Sequence, residues 1–155
     1  MDKIIQSRQS ALKSIQVAKY LFTTTYPLIK EPKTLLSISD HVFNSFMSSV
    51  SMLLVSERNK KLIPPYHETT ESKMNSFKNL AKKYKFEEYL ETIEIINNLG
   101  KHHKKSAVEF SRNKKFILCD SQFKDIKTVS ENDVKSFIEK AKEFNEKVSS
   151  VVSNE

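Results

Sequence analysis

The stretch Asn97-Asn98-Leu99-Gly100-Lys101-His102-His103-Lys104-Lys105-Ser106-Ala107-Val108-Glu109 decides how the second half of this 155-residue chain folds. It contains the chain's only glycine. Glycine enters the left-handed conformation without steric cost, so a Gly that follows an amphipathic run marks a helix end. Ser106 and Glu109 then match the S-x-x-E capping box, which opens helices. The spacing predicts a stop at Gly100 and a new short helix from Ser106. One uninterrupted helix across Gly100 is the competing reading.

Outward from this junction, apolar residues recur at helical spacing. Ile4, Ile5, Ala11, Leu12, Ile15, Ala18, Leu21 and Phe22 give a first helix over 2–24. Thr23-Thr24-Thr25-Tyr26-Pro27 is expected to end it, because proline disfavours helix in the residue before it. A second helix is expected from Pro32 to Lys60, with a serine-rich face that allows close helix approach. Pro64-Pro65 breaks the chain into a loop over 61–67. Further helices follow over 70–84 and 87–99. Phe116-Ile117-Leu118-Cys119 and Phe123-Lys124-Asp125-Ile126-Lys127-Thr128-Val129 flank Asp120-Ser121-Gln122 and suggest a small β-hairpin near 116–129. Ser130 reads as the cap of a last helix, with acids in its first turn. The expected fold is all-α: an antiparallel bundle of four main helices, shorter helical pieces and that hairpin. It forms a single domain over 1–150, with a frayed tail at 151–155.

Composition supports this reading. One glycine and four prolines are too few for an all-β fold, which leans on glycine turns. Cys119 is the lone cysteine, so no intrachain disulfide can form, which fits a reducing compartment. Polar residues interrupt the first segment, which does not read as a signal peptide. No apolar run approaches the ~20 residues of a membrane span. A cytoplasmic location is expected.

The net charge of +7 and pI ≈ 9.4 point to anionic partners such as RNA or another polyanion. Lysine supplies nearly all of it; Arg8, Arg58 and Arg112 are the only arginines. Arginine is the better bidentate phosphate ligand, so lysine-rich charge serves solubility as readily as recognition. Position therefore matters more than total charge. If Gly100 ends one helix and Ser106 opens the next, the free amides of the new helix attract an anion. Lys101, His102, His103, Lys104, Lys105 and Ser106 would surround it, with Arg112 and Lys115 in reach. Adjacent histidines on a helix point ~100° apart and do not chelate one metal.

A second cluster is Arg58 with His67 across the proline loop. A histidine near neutral pH can serve as general acid or base, and an arginine can stabilise phosphate charge. The plainer reading has Arg58, Lys60 and Lys61 complementing the helix dipole.

A basic helical bundle with Arg and His at a helix end resembles the HEPN superfamily of small α-helical proteins. Lys104-Lys105-Ser106-Ala107-Val108-Glu109-Phe110-Ser111-Arg112, Phe116-Ile117-Leu118-Cys119-Asp120 and Val134-Lys135-Ser136-Phe137-Ile138 are similar to archaeal all-helical proteins of that group. The resemblance implies an RNase, or a partner of a nucleotidyltransferase. The family's catalytic pattern is an Arg followed closely by a His on one helix. Here Pro64 and Pro65 separate Arg58 from His67, and His102 and His103 precede Arg112. No residue inherits the catalytic role directly.

The sequence has no P-loop, dinucleotide fingerprint or nucleophile elbow, and Asp40-His41 lacks partners at metal spacing. No cofactor and no metal are expected. Cys119 lies in an apolar run and reads as a buried small hydrophobe. Three functions follow: a non-catalytic domain binding RNA or another polyanion, a HEPN-like metal-independent RNase, or a homodimeric interaction module. The last rests on ten phenylalanines, with Phe43, Phe46, Phe77, Phe110 and Phe144 expected on helical faces.

Overall fold

A computed structural model describes residues 2–106, 108–119 and 125–153, excluding the side chains of residues 105 and 108. Among them, five helices of 15 to 26 residues replace the four expected, and a three-stranded sheet replaces the hairpin. Helix α1 (Asp2–Tyr20) does not end at the threonine run. It passes through a widened π turn (Leu21–Thr25) into α2 (Tyr26–Ile29). Pro27 cannot donate to the helix ladder, and the wider turn accommodates that loss. The Tyr26 N–H reaches back to the Leu21 carbonyl, and the Thr23 hydroxyl donates to the Lys19 carbonyl at 2.8 Å. Lys30, left-handed at φ 56°, ends the run.

Helix α3 (Thr34–Asn59) is the central element and packs against every other long helix. Its serines do more than leave room. Ser45 Oγ donates to the Ala11 carbonyl at 2.7 Å, and Ser49 Oγ donates to Asn145 Oδ1 at 2.5 Å. Asn145 Nδ2 donates to Ser45 Oγ at 2.9 Å. This buried network joins α1, α3 and α6 (Glu131–Ser153), and it satisfies polar groups that would be costly if left unpaired.

Helix α4 (Thr70–Tyr84) follows the proline loop; Thr69 caps it by accepting from the Ser72 N–H at 3.1 Å. Lys85, at φ 61°, turns the chain into α5 (Glu87–Lys105). The core lies between these helices. Phe144 of α6 sits at its centre, with the Phe46, Phe77, Phe86 and Tyr89 rings 5.3–5.6 Å away. Tilted and edge-on contacts of this kind add to the free energy of burial.

Helix α5 is where the sequence expectation fails. It runs without a break through Gly100, whose φ is not positive. Ile93, Ile96 and Leu99 bury one face of this helix in the core, and that packing carries it past the glycine. Ser106 is extended (φ −72°, ψ 134°), and no helix starts there. Strand β1 (Val108–Arg112) follows instead. The Ser106 hydroxyl does meet Glu109, at 2.9 Å, but as a side-chain pair rather than a capping box.

Strands β1, β2 (Lys115–Cys119) and β3 (Ile126–Ser130) form an antiparallel sheet in that order. The expected pairing of 116–119 with 123–129 holds over Ile126–Val129, with Phe116 opposite Val129, while Phe123 and Lys124 lie outside the described residues. Strand β1 is the missed element. Asn113 (φ 52°) and Lys114 (φ 62°) are both left-handed, which makes a two-residue turn between β1 and β2. The expected turn residues Asp120, Ser121 and Gln122 lie outside the described residues. Phe116, Leu118 and Val129 bury the inner face of the sheet against the helices.

The last helix starts as expected. The Ser130 N–H donates to Asp133 Oδ2 at 2.9 Å, and the Asp133 N–H donates to Ser130 Oγ at 3.2 Å. It continues to Ser153, past the expected fraying point. Val151 and Val152 pack on the core, and Arg8 donates to Ser153 Oγ at 3.2 Å. Residues 154 and 155 of the expected tail lie outside the described residues. No described helix is long and apolar enough to cross a membrane.

Candidate functional site

The fold divides the basic segment into three parts. Lys101, His103 and Lys104 lie on the last turns of α5, along an open groove of about 960 Å³ between α3, α4 and α5. Asp40, Glu71 and Glu94 line the same groove and oppose Lys78, Lys101 and Lys104. Partial burial raises the Asp40 carboxyl above its ordinary range, against the pull of His103, His41 and Lys104. The groove is thus mixed in charge. It lacks the single sign that would draw a polyanion.

The two histidines tie the end of α5 to the sheet. His102 Nε2 lies 2.7 Å from Asp125 Oδ2, just before β3, and its Nδ1 lies 3.0 Å from the Asn98 carbonyl. Both partners only accept, so an imidazole carrying both protons satisfies both contacts. The hydrogen bond from His102 holds the Asp125 carboxyl below its ordinary range. His103 Nδ1 lies 3.1 Å from the Glu109 carboxylate on β1. These side chains therefore position the sheet; they do not ring an anion site. With α5 unbroken and β1 in place of a helix, the expected cradle of free amides around Ser106 does not form. The side chain of Lys105 and all of Ala107 lie outside the described residues.

The third part is the hairpin tip. Arg112 and Lys115 are directly opposed on β1 and β2, and Lys114 occupies the turn between them. All three are exposed. Among the described residues, none of them engages an ion pair. Behind the tip, side chains alternate across the strands. Phe110 stands opposite Ile117, and Ile117 opposite Thr128. This row shares the outer face with Arg112 and Lys115. Phe110 is 38% exposed and Ile126 52% exposed, while Phe116 and Leu118 on the inner face are buried.

The Arg58–His67 pairing takes a structural form. Arg58 Nη1 donates to the Ile63 carbonyl at 3.1 Å and secures the proline loop. His67 is exposed, and its backbone N–H donates to Ser72 Oγ at 2.9 Å. Beside Arg58, Glu57 is fully buried, accepting from the Tyr84 hydroxyl and from Lys83 Nζ at 3.3 Å. Burial and that bond to Glu57 push the Tyr84 phenol above its ordinary value. Nothing in the sequence pattern distinguished Glu57 from a solvent-facing acid.

Of the five phenylalanines placed on helical faces, Phe46, Phe77 and Phe144 are fully buried and Phe43 is half-buried. Phe110 lies on a strand, not a helix. Its exposure was legible only from the alternation Val108-Glu109-Phe110-Ser111-Arg112, which the capping-box reading of Ser106 obscured. Cys119 is buried, as expected. No group of three or more His, Cys, Asp and Glu among the described residues is placed to hold a metal ion. Comparisons with protein-family models, curated proteins and solved structures find no match to this chain.

Proposed function

We propose that this chain is a non-catalytic binding domain for RNA or another polyanion, engaged through the β1–β2 hairpin. One observation carries the reading: Arg112, Lys114 and Lys115 are concentrated on a two-residue turn, exposed, with no ion pair to a described acid. Cations held this way can neutralise phosphates without first breaking an internal pair. The test is binding of a labelled single-stranded RNA over a range of salt. Affinity should fall steeply as salt rises. The combined substitution Arg112→Ala, Lys114→Ala and Lys115→Ala should flatten the log–log slope by about 2, at roughly 0.7 per phosphate contact on a single strand. An unchanged slope rejects the hairpin as the contact.

The HEPN-like RNase has less support, because Arg58 holds a loop carbonyl and His102 and His103 each engage a carboxylate. RNA cleavage in EDTA that disappears in His67→Ala, His102→Ala or His103→Ala would reverse this order. A homodimer has one favourable feature: Tyr20 at the end of α1 is 62% exposed, and Leu28 and Ile29 at the end of α2 are 84% and 54% exposed. Light scattering would detect it as a doubled mass.

A further inference from the structure

We infer that the outer face of the three-stranded sheet is a stacking platform for the bases of a single-stranded nucleic acid. The inference rests on the polyanion reading and adds the feature of the ligand that phosphate contacts cannot select. Phe110 and Ile126 are exposed and Ile117 half-buried on a face whose other described side chains are Arg112, Lys115, Thr128, Ser130 and the buried Cys119, with no acid among them. The Arg112–Lys115 pair lies one row beyond the Phe110–Ile117 pair. Successive same-face rows are about 6.7 Å apart. A base stacked on Phe110 therefore places its phosphate beside two cations.

This combination selects among partners. A lone apolar patch would fit many proteins, and a lone cationic patch would fit any anion. An exposed ring flanked by cations, on a surface free of acids, fits a chain of flat, unpaired bases joined by phosphates. A duplex hides its base faces and could use only the cations.

The test uses the full chain and fluorescence anisotropy. The probes are an oligoadenylate of roughly 12 nucleotides, within the span of such sites, and an abasic strand of equal length and charge. Oligoadenylate should bind about tenfold tighter than the abasic strand. Phe110→Ala should remove that advantage and leave abasic binding unchanged, whereas Phe110→Tyr should keep it. Arg112→Ala should weaken both strands alike. Equal affinity for the two strands, or a Phe110→Ala protein that still prefers bases, overturns the platform and leaves the basic hairpin standing. Failure to bind either strand overturns both readings.

Discussion

Phe144 and Phe110 are the same side chain in opposite settings. Phe144 is enclosed by four aromatic rings drawn from α3, α4, the α4–α5 turn and α5. Phe110 lies 38% exposed on the outer face of a three-stranded sheet, beside cations. The core of the helical body is organised inward: the rings around Phe144 are covered, and the buried Ser45 and Ser49 are matched to Asn145. The sheet is organised at its edge, where histidine–carboxylate pairs fasten it to α5, and Phe110, Arg112, Lys115 and Ile126 on its outer face stay exposed.

Substitution should separate the two regions. Phe144→Ala should destabilise the fold by about 3–5 kcal/mol, through lost burial and the cavity left behind. Phe110→Ala should stay within about 0.5 kcal/mol of the parent in the same chemical denaturation experiment. A large loss at Phe110 would mean that the ring serves packing after all. Within the body, Asn145→Ala strands the Ser49 hydroxyl and removes the donor to Ser45 Oγ, and should cost about 1–3 kcal/mol.

Gly100 lies at the boundary between the regions and gives a smaller effect of opposite sign. A Cβ added there meets nothing within 4 Å, and the residue is helical. Gly100→Ala should therefore stabilise the protein by about 0.5–1 kcal/mol. Had Gly100 been a left-handed helix stop, the same change would destabilise, so thermal melts decide between the two geometries.

The smallest effect is expected at the fastening of the sheet. In the folded chain His102 holds the Asp125 carboxyl below its ordinary value. The ionised acid thus contributes stability above the unfolded carboxyl pKa of about 3.9, and loses it as pH falls through the lower folded value. Protection factors of the β3 amides, corrected for the intrinsic pH dependence of exchange, should fall on acidification through that range. Asp125→Asn should make protection there less dependent on pH, while the helical core stays unchanged.

Most of the helices were legible in the sequence because their apolar spacing agrees with the packing that buries it. The limits of α4 and the helix cap at Ser130 followed from local chemistry alone. The errors have a common cause. Left-handed turns were sought at glycine, yet Lys30, Lys61, Lys85, Asn113 and Lys114 adopt positive φ while Gly100 stays helical. A local signal such as glycine or S-x-x-E is worth only about a kilocalorie, and burial of Ile96 and Leu99 outweighs it. The candidate site shifted for the same reason. Its cations were visible as residues, but the turn that gathers three of them, and the register that sets Phe110 beside them, depend on pairing between strands.

The sequence by itself determined a basic, mostly helical protein with one cysteine and a phenylalanine-rich core, because composition and periodicity are local properties. Only the tertiary structure decided that α5 passes through Gly100, that Glu57 is buried, and that the basic segment splits between a groove, a pair of histidine ties and a hairpin tip. Those outcomes depend on contacts between residues far apart in the chain, whose burial and hydrogen bonding outweigh local preference.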